Sequence, residues 1–346
     1  MLGPLTSATR RSDSNEEQLE SLGATCAANA TGRLVRSAIW MPYGDIVIQA
    51  ECTQFRVNKD ILATHSNVFR DLFEIPQPEW HPDSDEESEI VEGCSVVLLT
   101  DAGRDWENFL AVLYGDPFSP KNALDFDLLA ALLRLGKKYE ITRAKEDALW
   151  RIRHEFPRDF RAFNELDADL TKIKYRKGIY ADLLHLAYEC EIYSSLPLLA
   201  FCCLRSDSLE TILSGIPRDD GSRVTLPNEL RYILAIAHER MILFQHKTLA
   251  WLRDGSVVPH SQCASSARCE QQRITMAKIV DDDHCSQGRF NLGYMIDQWD
   301  HRWTGMMCPL CEISATAVYE RGREKGWELL PSFLGLTNWQ ELDDVI

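Results

Sequence analysis

Residues 45–73 read Asp45-Ile-Val-Ile-Gln-Ala-Glu-Cys-Thr-Gln-Phe55-Arg-Val-Asn-Lys-Asp60-Ile-Leu-Ala-Thr-His65-Ser-Asn-Val-Phe-Arg70-Asp-Leu-Phe73. Ile46, Val47 and Ile48 are β-branched and suit a short strand; Phe55 and Val57 alternate with polar residues and suit a second. From Asp60 the apolar spacing lengthens to about 3.6 residues, the helical period, with a break at Ser66. The stretch therefore predicts strand, turn, strand and a pair of short helices. Leu62, Phe69, Leu72 and Phe73 are the expected buried positions.

Outward from this core, Trp40-Met-Pro-Tyr-Gly-Asp45 reads as a tight turn feeding the first strand, so structure is expected to begin near Ile39. Residues 1–36 are small and polar and read as a disordered tail. Residues 74–92 carry Pro76, Pro78 and Pro82 and the acids Asp83, Asp85, Glu86, Glu87, Glu89 and Glu92. Proline removes amide donors and like charges repel, so this insert is expected to be an exposed acidic loop. Val96 to Leu99 forms the next strand. Asp105 is placed to cap a helix with Trp106, Phe109, Leu110 and Leu113 on one face, ended by Gly115. Leu128, Leu132, Leu135 and Tyr139 line a further helix, and Ala144, Ala148 and Ile152 another, capped by Thr142.

Past Pro157 no strand pattern remains. Amphipathic segments at 180–190, 196–204 and 230–252 predict an all-α region, with Leu230, Ile233, Leu234, Ala237 and Met241 inward on the last. The expected fold class is α+β: a small mixed sheet flanked by helical hairpins over 38–156, a helical domain over 157–256, and a cysteine-containing helical region over 257–346. No fixed-period repeat is visible.

The elements Asp45-Ile-Val-Ile48, Phe55-Arg-Val-Asn-Lys59, Leu62-Ala63, Ser66-x-Val68-Phe69 and Leu72-Phe73, with the Leu113-Tyr-Gly115 ending downstream, closely resemble the core of the BTB/POZ family. The Leu72–Pro78 stretch and the long insert resemble the BTB proteins that fungi carry in large numbers. The resemblance departs at Asn58, where the family usually has His; Asn can still cap the next helix. What it implies is a protein–protein interaction module that forms dimers or heteromers, with homodimerisation and recruitment of a cullin scaffold of ubiquitin ligases among its uses. Family dimers often use a helix and strand ahead of the core, and residues 1–36 show little sign of either. Cullin recruitment often relies on an apolar-x-Glu element, whose nearest match here is Ile90-Val91-Glu92.

Composition sets the outer bounds. The 346 residues are 45% apolar, enough for real cores in two domains. The formal charge is −16, and residues 38–155 hold 12 basic against 22 acidic residues, a net of −10. Such a surface repels phosphate backbones and anionic lipid. No window reaches the ~18 consecutive apolar residues of a membrane span. The first residues lack a secretory apolar core, so a cytoplasmic or nuclear protein with mostly reduced cysteines is expected.

Outside the core the sharpest motif is Cys308-Pro-Leu-Cys311, which can chelate zinc if Cys263 and Cys269 supply the second pair. Residues 257–287 are poor in apolar side chains, which gives such a staple a physical motive. Cys285, His260, His284 and His301 are alternative ligands. The structural alternative has Cys308 and Cys311 simply opening a helix with Pro309 in its first turn. A redox reading needs a thioredoxin-like frame that the helical surroundings do not offer. Asp281-Asp-Asp-His284 reads as solvated. His65 and His185 read as structural residues, and Trp299, Trp303, Trp327 and Trp339 as core. Ser84-Asp-Glu-Glu87 is the context acidophilic kinases favour.

No nucleophile elbow, phosphate loop or paired catalytic carboxylate is visible. The leading expectation is a non-catalytic adaptor working through the BTB/POZ domain, with a cullin-type ligase as the implied setting. The alternative is a BTB-containing transcriptional or chromatin-associated regulator with a zinc-stabilised C-terminal region.

Overall fold

The structure, a computed structural model, describes residues 33–75, 90–115, 122–285 and 290–345. The chain divides into two compact units, one comprising residues 1–120 and 127–147, the other residues 121–126 and 148–346.

The first unit is built on a five-stranded mixed sheet of order β1-β3-β2-β5-β4. Its strands are β1 (Val35–Trp40), β2 (Ile46–Ala50), β3 (Thr53–Val57), β4 (Ile90–Val91) and β5 (Cys94–Leu99). Ile46, Val47, Ile48 and Ala50 are all buried, because β2 lies at the centre of the sheet. It pairs antiparallel with β3, Ile48 opposite Phe55, and parallel with β5, Ile48 opposite Val97. A parallel pair cannot be joined by a tight turn, so the chain between β2 and β5 makes an excursion. That excursion includes α1 (Lys59–His65) and α2 (Asn67–Glu74), the helical pair read from the sequence. Ser66 separates them in an extended conformation. Its hydroxyl accepts from Phe69 N at 3.1 Å and donates to Tyr139 O at 2.5 Å.

Helices α3 (Gly103–Tyr114), α4 (Phe126–Lys138) and α5 (Thr142–Glu155) follow. Trp106, Phe109 and Leu110 bury one face of α3; Phe69, Trp106 and Tyr139 meet as stacked and edge-on rings with centroids 4.9–5.8 Å apart. Rings at such spacing add roughly 0.5–1.5 kcal/mol per pair beyond the area they bury. Two glycines permit close approach: a Cβ at Gly103 would lie 3.0 Å from Ala50 O, and one at Gly136 2.8 Å from Lys145 N.

Several local expectations are corrected. Among the described residues the first strand starts at Val35, ahead of the expected beginning near Ile39; residues 1–32 of the expected tail lie outside the described residues. The strand β1 pairs parallel with β3 and overlaps the end of the segment read as tail. Of the expected acidic loop over 74–92, residues 76–89 lie outside the described residues, and Ile90–Val91 form strand β4, antiparallel to β5. Residue Ala102, not Asp105, is the N-cap of α3; Asp105 sits in its first turn. Asn58 occupies the N-cap of α1, but its side chain donates to Tyr43 O at 3.0 Å and caps nothing. Asp45 Oδ1 accepts from Lys59 N at 2.8 Å instead, fixing the start of α1 from the residue just ahead of β2.

The second unit is mostly helical, with α6 (Phe160–Asn164), α7 (Ile179–Glu189), α8 (Leu196–Ser206), α9 (Leu209–Ser214), α10 (Asn228–Thr248), α11 (Trp251–Asp254), α12 (Ser266–Cys285) and α13 (Pro309–Phe333). It is not purely α: a two-residue ladder, β6 (Ile216–Pro217) with β7 (Arg223–Val224), closes a short hairpin. Too short to show a period of two, it left no pattern in the sequence. Helices α7 and α8 are buried on most sides. Trp303, Trp327 and Trp339 are core residues and Trp299 packs beside Trp303; Trp327 stacks on Trp339 at 4.9 Å. Among the described residues no helix is long and apolar enough to cross a membrane.

Candidate functional site

Two places in the molecule carry the residues singled out in the sequence, one in each unit. In the first unit, Ile90, Val91 and Glu92 lie at the β4 edge of the sheet. Ile90 is 59% exposed. Glu92 follows in a left-handed turn (φ 48°) and its carboxylate is fully engaged. It accepts from Trp40 Nε1 at 3.2 Å and pairs with Arg36 at 2.6 Å and Arg56 at 3.2 Å. The hydrogen bonds from Trp40 and then Arg36 hold its pKa below the usual carboxylate range. The triplet thus offers an exposed apolar side chain, but its acid is already committed within the unit.

Elsewhere on the unit, a cleft of about 210 Å³ opens between α1, α3 and the start of α5. Its lining includes the apolar Phe109, Val112, Leu113 and Ile141 together with His65 and Arg143. The sequence reading missed it because Leu113 was read only as part of an apolar helix face and Ile141, 28 residues further on, was not singled out at all.

In the second unit, Cys263, Cys269, Cys308 and Cys311 come together. Their four Sγ atoms all lie within 4.8 Å of one another, and Cys263 Sγ is 3.6 Å from Cys308 Sγ. Cys269 sits in the first turn of α12; Cys308 is the N-cap of α13, Pro309 its first residue and Cys311 its third. The same residues thus open a helix and converge with the second cysteine pair. Backbone amides point at the sulfurs: His260 N to Cys311 at 3.2 Å, Ser265 N to Cys263 at 3.4 Å, Cys308 N to Cys269 at 3.4 Å. A hydrogen bond from the Cys311 amide pulls the Cys308 thiol down to about 7, while burial pushes Cys269 and Cys311 up.

The alternative ligands are placed otherwise. His260 Nδ1 accepts from Gln262 N, and His301 is almost fully exposed beside Asp300. His284 stacks on Phe290 at 3.9 Å. Asp283 pairs with Arg302 and accepts from the Tyr294 hydroxyl, and Asp281 lies 3.5 Å from Arg253. Among the described residues the four cysteines are the one group with metal-ligand geometry. The side chain of Cys285 and the Ser84–Glu87 segment lie outside the described residues.

Residues 41–149 match the family model for the BTB/POZ domain. This chain therefore carries a BTB/POZ domain at its N-terminal end, as the resemblance implied, with β1 lying just ahead of the matched segment. BTB/POZ domains are protein–protein interaction modules. No curated protein matches the chain.

Proposed function

We propose that this chain is a non-catalytic adaptor whose BTB/POZ domain docks another polypeptide while the helical region carries a second interaction surface. The observation that supports this reading above all is the family match over residues 41–149. The first unit also presents what such docking uses: an exposed Ile90 on a strand at the edge of the sheet, and a mostly apolar cleft with His65 and Arg143 among its lining. Binding in this reading rests on burial of apolar area, with no bond chemistry.

The resemblance makes a cullin scaffold the first partner to test, in the setting of a ubiquitin ligase, with a second copy of the chain as the other. A reducing compartment, cytoplasm or nucleus, suits a protein with eleven cysteines. The test is size-exclusion co-elution of the full chain with a cullin N-terminal domain at about tens of micromolar, a range that reveals standard-sized interfaces. Sedimentation of the chain alone is run alongside. Co-elution that is lost in Ile90→Asp supports the cullin assignment. A chain that neither joins the cullin domain nor self-associates leaves the docking proposal without its two implied partners and sinks it in this form.

A further inference from the structure

We infer that Cys263, Cys269, Cys308 and Cys311 bind one zinc ion, and that this ion fastens the starts of α12 and α13 to the loop before them. Four observations converge. The first is distance: a tetrahedral zinc with bonds of about 2.3 Å sets its sulfurs about 3.8 Å apart. Cys263 and Cys308 already stand 3.6 Å apart, and all four sulfurs lie within 4.8 Å of one another, so a contraction of about an ångström or less closes the shell.

The second is charge. Each sulfur accepts a backbone amide: from His260 at Cys311, Ser265 at Cys263, Cys308 at Cys269 and Cys311 at Cys308. A neutral thiol is a weak acceptor, so amides aimed at all four are matched to thiolates. Zinc with four thiolates carries two net negative charges. Two helices of 20 and 25 residues, α12 and α13, start at the cluster and direct the positive ends of their dipoles toward it.

The third is coordination number. Four sulfurs fill the shell, and no histidine or carboxylate enters it among the described residues. A closed four-sulfur shell is the mark of a structural site, since a catalytic one keeps a position open. The fourth is location. Cys269 and Cys311 are fully buried and pack into a core containing Trp251, Val258, Met276, Trp303 and Met307. The ion would pin a loop and two helices that are 45 residues apart between Cys263 and Cys308. Closing such a loop from an unfolded chain is costly in entropy, and a metal cross-link offsets that cost.

A pair of disulfides is the rival use of the same thiols, and the test separates the two. The full chain is purified in mild reductant without added metal, and its metal content is measured. The expected result is about one zinc per chain, falling below about a tenth of an equivalent in the Cys263→Ser/Cys308→Ser double variant. Should that variant fold poorly, the wild-type chain decides alone. Cobalt reconstitution should then give the intense visible bands of tetrahedral sulfur coordination. Peptide-resolved alkylation should find these four cysteines protected until a chelator is added. Zinc below about a tenth of an equivalent in the wild type, iron in its place, or two disulfides in intact-mass analysis overturns the assignment.

Discussion

Arg302 shows how a single side chain organises its surroundings. Its guanidinium spans Asp283 and Asp300, both at 2.5 Å, and meets the hydroxyl of Tyr294, whose ring stacks on buried Trp303 at 5.4 Å. Hydrogen bonding to Arg302 holds Asp283 below the ordinary carboxylate range. For Asp300 burial pushes the other way, yet the bonds from Arg302 outweigh it and its pKa too is lowered. A carboxylate whose folded pKa lies below its unfolded one stabilises the fold above the unfolded value, about 4, and loses that contribution as pH falls through the folded value. Arg302→Met is therefore expected to lower stability at neutral pH, with the gap from wild type closing below about pH 4. Urea unfolding of both proteins across that range checks it; a gap that stays constant into acid contradicts the assigned role. The same scale explains Asn58. Its departure from the family's usual residue is harmless because Asp45 caps α1, while Asn58 N donates to the Tyr114 hydroxyl at 2.9 Å.

At the scale of elements, the segment after α13 holds only one short helical turn and is nonetheless anchored. Trp339 Nε1 donates to Trp327 O at 2.7 Å. Asp344 accepts from Ser194 N at 2.7 Å and Ser194 Oγ at 2.9 Å, and from Arg153 Nε at 2.9 Å. Its side chain is only 3% exposed, so removing the carboxylate strands a buried amide and a hydroxyl. Asp344→Ala is expected to cost about 1–3 kcal/mol, the usual penalty for leaving such groups unsatisfied. Hydrogen exchange should localise the loss to the start of α8 and the terminal segment. Unchanged protection there would show that the contact contributes nothing. Helix α13 illustrates the opposite dependence. Its start is written in Cys308-Pro309, where proline at the first helical position costs no hydrogen bond. Further along, Arg323 is buried with its donors taken by Glu320 on its own helix and by Ile296 O and Asn164 Oδ1 from two distant stretches of chain.

At the scale of the molecule, a charge of −16 opposes the nucleic-acid reading. Phosphate backbones are bound by releasing counterions to Lys and Arg, and this chain has 53 acids against 37 bases. No mobility shift of duplex DNA is expected at micromolar protein and about 0.15 M salt, and a salt-dependent shift would restore the chromatin-associated alternative. The sequence alone determined the α+β core. The change from a two-residue to a 3.6-residue apolar period around Asn58 is local chemistry, and it placed β2, β3, α1 and α2 where the structure has them. It also named the four cysteines as candidate ligands, since the Cys308-x-x-Cys311 spacing allows two thiols to share one metal and Cys263 and Cys269 were the nearest second pair, but it left the helix-opening alternative standing. Only the tertiary structure decided what depends on distant partners. Strand β1 gains its amide partners from β3, the two-residue β4 from β5, and the α1 cap from Asp45. Whether Cys263 and Cys269 lie beside Cys308 and Cys311 was likewise settled by the packing of α12 and α13. The physical reason is that periodicity reports which face of an element is apolar, while hydrogen-bond and ligand partners are fixed by where the chain returns in space.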